Sequence, residues 1–395
     1  MKYKNRWRAL FFIYIFMLVF AVSFQCIPPV LGFIVSSLKI SHAQAGALMS
    51  FFALPGIFLS IPGGILADVY GSKRAGTAAL TIVLLGTLLV GLGGSFFLLA
   101  TGRVIAGIGA LMIAVVAPQA ISRWFANRDL GKAMGIYNTA MPLGTIFTLN
   151  MFGRLAASSH WRTPILLVVA YSVLVLLLFY FRYPALPGKE KQRSHEKPDF
   201  KKSVHAIGKI GWPIWLVAII WMMYNASAIS FLTFAGDYYT SVGYDISYAG
   251  FLASLLMIGS LIFSPLVGSL TDRVGKEELF IVGGCTVLAI LLFLVPRTGL
   301  NPLLLGGLIG FFAPFTPAPV FSLVPKVVPA EQTGLGYGIS STCLNVGVLV
   351  GPLLVGFFFD WTQSYLPGFN LMAVFALIGA AVALLLWFVN QSAKA

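Results

Sequence analysis

The sequence predicts an all-α polytopic membrane protein, with twelve transmembrane helices arranged as two parallel six-helix repeats. Three observations carry this. First, of 395 residues 58% are hydrophobic and only 10% charged, whereas a soluble domain has about 25% charged residues. Second, apolar runs of about 20 residues, enough to cross a hydrocarbon core of about 30 Å, recur along the whole chain. Third, two motifs each occur twice at nearly the same shift. Backbone groups in lipid must be satisfied internally, which leaves helices or closed barrels. The Leu/Phe/Val runs lack the alternation of a barrel strand, so they read as helices.

The spans fall at about 9–36, 44–67, 74–94, 97–122, 130–156, 162–182, 212–236, 246–271, 278–296, 302–326, 331–358 and 368–390. The first run, "ALFFIYIFMLVFAVSFQCIPPVLGF", is too long for a signal-peptide core and no small-residue cleavage site follows it. It is expected to persist as span one, interrupted at Pro28-Pro29. "SHAQ" at Ser41 to Gln44 reads as a capping box opening span two. In span ten, "PFTPAP" places Pro314, Pro317 and Pro319 around Thr316 and breaks the helix. The polar stretch 184–211 separates a six-helix bundle at 1–183 from a second at 212–395. Its Pro, Lys and Ser content suits a cytoplasmic tether, with a short surface helix near Lys201 to Lys209.

The formal net charge of +14 does not mark a nucleic-acid protein, because Lys and Arg stand at the ends of apolar runs rather than on a soluble face. With the N-terminus inside, one side collects Lys2, Lys4, Arg6, Arg8, Lys73, Arg74, Arg123, Arg128, Lys132, the 182–209 linker, Arg273, Lys276, Lys326 and Lys394. The other side and the span interiors keep Lys39, Arg103, Arg154, Arg162 and Arg297. That asymmetry places both termini in the cytoplasm. Short loops suggest a cell (inner) membrane and a monomer that works alone in the bilayer. Cys26, Cys285 and Cys343 lie inside apolar runs without metal-ligand spacing and read as small core residues.

The repeat is explicit. "GGILADVYGSKR" (63–74) recurs as "VGSLTDRVGKEE" (267–278), and "GKAMGIYNTAMPLGTI" (131–146) as "GLGYGISSTCLNVGVL" (334–349). Two halves in one orientation, joined by a linker, form a parallel repeat. These residues resemble the major facilitator superfamily, whose loop between helices two and three reads approximately G-x-L-a-D-r-x-G-r-k. Gly64, Leu66, Asp68, Gly71 and Lys73 match it, with Val69 and Ser72 at positions usually basic. Gly268, Leu270, Asp272, Arg273, Gly275 and Lys276 match it more fully. "RVIAGIG" (Arg103, Gly107, Gly109) and "HWR" (160–162) are similar to further motifs of that family.

The loop's physics points to a gate. Gly71 allows a turn at φ > 0, and Gly64 and Gly268 would let helices approach closely. Asp68 and Asp272 are placed to cap the N-termini of spans eleven, near Glu331, and five, near Asp129. Gly64, Asp68, Gly71, Lys73, Arg74, Gly268, Asp272, Arg273 and Gly275 are therefore expected to latch the halves on the inside face. Plain topological anchoring accounts for Lys73 and Arg74 but not for the Asp or the glycines.

The resemblance implies a solute site near the bilayer midplane between the halves, where polar side chains are expensive and informative. Gln25, Arg103, Asn138, Thr145, Trp221, Tyr224, Asn225, Thr316 and Asn345 are the candidate solute contacts. For a Ser or Thr, a hydrogen bond within its own helix is the competing role. Arg103 has two readings, a positive centre for an anionic solute or a brace bonded to helix carbonyls. No Asp, Glu or His falls near the midplane, and Asp237, at the outer end of span seven, is the deepest acid.

Enzyme chemistry has no sequence support: there is no phosphate-binding G-x-x-x-x-G-K-[ST], no metal cluster, and no cofactor is expected. His42, His160, His195 and His205 all lie in loops or the linker. The expected function is transport of a small polar solute by alternating access, as uniport, exchange or symport. An organic or inorganic anion, an amino acid or a small peptide is favoured. The alternative is a multidrug or cation efflux carrier, and a non-transporting sensor would be expected to carry a sizeable soluble extension.

Overall fold

A computed structural model describes residues 2–125, 129–184, 211–329 and 332–392, with the side chains of 2–4, 60–71 and 392 outside that description. The first half contains α1 (Lys2–Gln25), a 3-10 turn (Pro28–Val30), α2 (Leu31–Leu38), α3 (His42–Leu92), α4 (Phe96–Trp124), α5 (Leu130–Asn138), α6 (Ala140–Ser158) and α7 (Arg162–Arg182). The second contains α8 (Pro213–Ser241), α9 (Ile246–Val274), α10 (Glu277–Leu294), α11 (Pro302–Phe312), a 3-10 turn (Ala313–Phe315), α12 (Pro317–Val327), α13 (Thr333–Thr362) and α14 (Leu366–Ser392). Among the described residues, eleven stretches are long and apolar enough to cross a membrane. The remaining expected span, 130–156, is split at Thr139 into α5 and α6.

The breaks fall where the chain loses donors. Pro28 and Pro29 supply no N–H to the last turn of α1, and the span continues through the 3-10 turn into α2. Span ten is interrupted in the same way at Ala313–Phe315. The capping box forms as the sequence predicts: the Ser41 hydroxyl accepts the Gln44 N–H at 3.2 Å, and the Ser41 N–H donates to the Gln44 amide at 3.0 Å.

Spans two and three are assigned to a single helical element, α3, whose two described ends, His42–Leu59 and Ser72–Leu92, are the two crossings. Their packing gives the directions. Going down α4, Arg103 meets Leu48 and Gly107 meets Phe52, so the first end runs parallel to α4. Ala106 meets Gly86 and Gly109 meets Ala79, so the second end runs antiparallel.

Lipid tails are as apolar as these helices, so close packing rather than the hydrophobic effect holds the halves. The repeat is visible in that packing. A Cβ on Gly107 would overlap the Phe52 carbonyl, and at the equivalent place in the second half a Cβ on Gly310 would overlap the Leu255 carbonyl. The seams between halves repeat as well: Gly46 abuts the Pro352 carbonyl, and Gly250 abuts the Leu149 carbonyl.

Candidate solute pathway and the seams that close it

Arg103 is the most deeply held cation, 1% exposed on α4. Its Nε donates to the Leu48 carbonyl at 2.8 Å, and its terminal nitrogens donate to Ser23 O at 2.6 Å and Phe24 O at 3.0 Å. The guanidinium carbon also sits 4.3 Å from the Phe52 ring centroid. The reason is local. Phe24 O would bond the N–H of residue 28, which is a proline, and Arg103 supplies the missing donor. Of the two sequence readings, this geometry is that of the brace. With its donors on carbonyls, Arg103 is not offered to a solute here, and its inclusion among the solute contacts is corrected accordingly.

Two other expected contacts, and a third residue besides, do carry free polar atoms. Gln25, at the end of α1, is fully buried, and neither its amide nitrogen nor its oxygen has a partner. Thr145 on α6 is equally buried, with an unpartnered hydroxyl. It stands next to Gly144, which packs on Ala21 and Val22, so it flanks the turn of α1 that leads to Gln25. Ser227 on α8, at a comparable depth in the other half, has an orphaned hydroxyl too. Orphaned buried polar groups cost about 1–3 kcal/mol each. Groups left in that state are candidates for a ligand that satisfies them.

The remaining candidates divide. Trp221 and Tyr224 stack at 5.5 Å between centroids, and Phe321 meets Trp221 edge-on at 5.3 Å. Asn225 spends its amide N–H on the Trp221 carbonyl at 2.8 Å. Asn345 likewise donates to Ser341 O, and its side chain lies over Gly56, so it touches the opposite half. Asn138 is exposed at the α5 break. Thr316 does not face the pathway: its hydroxyl lies 3.2 Å from Cys285 Sγ within the second half, because the proline turn rotates it towards α10.

The described contacts that join the halves gather towards the face opposite the termini, with Asn345 on Gly56 the deepest of them. On one seam the Ser50 hydroxyl donates to Leu349 O at 2.5 Å. There too the Asp360 carboxylate accepts the His42 and Ala43 N–H groups at 2.8 and 2.7 Å. On the other, Asn150 donates to the Ser254 hydroxyl at 3.0 Å, and Arg154 to the Ser247 hydroxyl. Arg154 is thus a tie between halves. On the termini face, charges pair within each half: Arg6 with Asp129 at 2.7 Å, and Lys326 with Glu277. There α5 packs on α1, α4 and α6, and α12 on α8, α9, α10 and α13.

Against known proteins, the Major Facilitator Superfamily profile matches residues 11–296 and 216–395. The chain belongs to the major facilitator superfamily. It is 26% identical to a probable sulfoacetate transporter of Cupriavidus necator over 89% of this chain and 86% of that one. It is 24% identical to a lysosomal dipeptide transporter of Homo sapiens over 90% of this chain and 80% of that one, and 24% identical to a hexuronate transporter of Bacillus subtilis over 87% and 86%. In fold it matches an inward-facing, unoccupied bacterial homologue of the human lysosomal transporter Spinster, with a TM-score of 0.78, 17% identity and 97% of each chain covered. It also matches the nucleoside transporter NupG, at a TM-score of 0.74 and 16% identity, over 97% of this chain and 99% of that one.

The superfamily's loop motif is only partly open to description. Gly64, Asp68 and Gly71 fall among the side chains outside the description, as does Glu331. Lys73 and Arg74 are exposed, with Lys73 5.9 Å from the Tyr180 ring centroid. In the second copy, Gly275 takes φ +64 and caps α9, its N–H donating to Thr271 O at 2.8 Å, as a left-handed C-terminal glycine does. Gly268 corrects an expectation: nothing lies within reach of a Cβ there, so it makes no close helix contact. Asp272 and Arg273 are exposed. The residues that do cap across the halves, Asp360 on His42 and Ala43, were missed, because His42 read as a loop residue in a capping box. The available signal was a histidine at a helix N-terminus opposite the deepest acid, Asp237.

Proposed function

We propose that this membrane transporter moves a small polar solute by alternating access of its two halves around a site at mid-depth, in a cell membrane with both termini cytoplasmic. The observation that carries the reading is the set of orphaned buried groups, Gln25, Thr145 and Ser227, contributed from both halves. A solute with hydroxyl, carboxylate or amide groups would satisfy them, and rocking of the halves would expose them to each side in turn. Tyr224, Asn225 and Asn345 are the further contacts, and Trp221 walls the pathway. The relatives named for sulfoacetate, dipeptides and hexuronate share a carboxylate among their solutes, which supports an organic anion or zwitterion. With Arg103 engaged, recognition would rest on neutral donors.

The test is counterflow in proteoliposomes preloaded with small carboxylates, sulfonates, amino acids, dipeptides, or lipophilic cations. Exchange of an anion or zwitterion, reduced at least tenfold in Gln25→Leu, is the expected result. Movement of lipophilic cations alone would overturn it in favour of multidrug or cation efflux.

A further inference from the structure

On the closed face, a cluster of ionisable groups crosses between the halves, and the transport reading leaves it unused. His42 opens α3 in the first half. Its Nε2 lies 3.5 Å from Asp237 Oδ2 on α8, and its Nδ1 3.6 Å from Asp360 Oδ1 on α13. The imidazole rests against Phe359, with centroids 3.9 Å apart. The three side chains are only 18–27% exposed.

Other groups fix the roles. The Tyr365 hydroxyl donates to Asp237 Oδ2. Burial and the neighbouring carboxylate push that phenol well above its ordinary range, so it stays a donor. The other Asp237 oxygen lies over Gly32, where the first span bends into the second half. Lys39, just upstream of His42, is exposed and has no described partner. Histidine is the side chain type whose ordinary charge change falls between about pH 5 and 8, and this one stands between two carboxylates of the other half. A cavity of about 290 Å³ between the halves, lined in part by Pro28, Gly32, Ser36, Asp237, Thr240 and Gly250, gives water room to reach the Asp237 side of the cluster.

The repeat shows that this is not a general packing device. The equivalent helix N-terminus in the second half is that of α9, where Ile246 stands in place of His42 and Asp245 caps the helix by itself. One seam carries a histidine between two carboxylates of the other half, and at its mate Arg154 stands near Asp245 instead.

We propose that His42, Asp237 and Asp360 form a proton-binding site that ties proton occupancy to closure of this face. A proton taken from water onto His42 places an imidazolium between two carboxylates of the other half. Parting the halves breaks both pairs, so the bound proton favours the closed seam, and by reciprocity closure favours the bound proton. Loss of the proton leaves two carboxylates around a neutral ring, and the seam opens more readily. The sign follows: opening is favoured as pH rises, because the bound proton is what makes both pairs. This rests on the alternating-access reading and names the proton as its coupling partner.

The experiment measures distances between spin labels on Ser159→Cys and Leu300→Cys, exposed positions of opposite halves on this face, in the full chain carrying Cys343→Ser and reconstituted in liposomes. Between pH 5 and pH 8 the ratio of separated to closed populations is expected to rise roughly three- to tenfold, the range a partly exposed charge pair supports. In His42→Gln the ratio is expected to stay at its high-pH value throughout. In the double variant Asp237→Asn, Asp360→Asn the pH dependence is expected to vanish as well. A wild-type ratio that does not move with pH, or a dependence retained in His42→Gln, would overturn the proposal. A single distance at every pH in all variants would refute alternating access itself.

Discussion

Replacing Arg103 with Ala separates a brace from a solute contact. The guanidinium makes three hydrogen bonds to carbonyls of α1 and α3. Charged hydrogen bonds contribute about 1.5–3 kcal/mol each, but removing the buried cation also removes its desolvation cost. The net loss expected on breaking such a network is about 3–5 kcal/mol. Phe24 O would lose a donor that Pro28 cannot replace. The assay is thermal unfolding in detergent with and without the solute identified by counterflow. Arg103→Ala is expected to lower the midpoint by several degrees yet keep the solute-induced rise, and Arg103→Lys, which reaches fewer carbonyls, is expected to fall between. An unchanged midpoint together with a lost solute response would refute the brace and return Arg103 to the solute site.

Gln25→Leu fills the same space without orphaned atoms, so unfolding without solute is expected to become harder by about 1–3 kcal/mol while transport falls; a destabilised variant would mean the amide has a partner. Gly107→Val and Gly310→Val occupy equivalent contacts against the Phe52 and Leu255 carbonyls. Each is expected to cost about 1–3 kcal/mol or more in unfolding, and tolerance at either would break the packing argument for the repeat. Asp245 accepts the Ser247 N–H at 2.8 Å, and that bond, with the Ser247 side chain and Arg154 nearby, holds its carboxyl below the usual range. A lowered carboxyl contributes stability above its unfolded value, near about 3.9, and loses it as pH falls through the lowered one. The gap in thermal midpoint between wild type and Asp245→Ala should therefore be constant from pH 7 to pH 5 and close only below about pH 4. A gap already gone at pH 5 would contradict the assignment.

The span pattern, the proline breaks and the doubled motifs were legible because each is written locally: length of apolar run, missing N–H groups, similar short strings. The capping box at Ser41 is equally local. Thr316 shows where that reading stops. Its depth was right, but its direction depends on how the turn at Ala313–Phe315 rotates the chain, and no spacing rule encodes that. Arg103 failed differently: an isolated buried arginine is ambiguous until the carbonyls that need it are located, although the Pro28-Pro29 pair was a visible source of them. The seam residues were least legible. His42, Asp360 and Tyr365 meet across more than 300 residues of chain, a separation that no local spacing rule encodes.

The latch expected from the loop motif and the latch found lie on opposite faces, and the physics reconciles them. A carrier that rocks needs a closable seam at each face, and the two cannot be shut together without trapping the solute. With the far face closed through Asp360 on the N-terminus of α3, Asp272 of the second motif copy stands exposed on the termini face. The device is nevertheless the one the motif led us to expect: a carboxylate from one half satisfying free N–H groups at a helix start in the other. Such a bond suits a gate because both parts are stable when separated, the carboxylate in water and the helix end capped by its own Ser41. The difference between made and broken is then small enough for solute and proton to reverse.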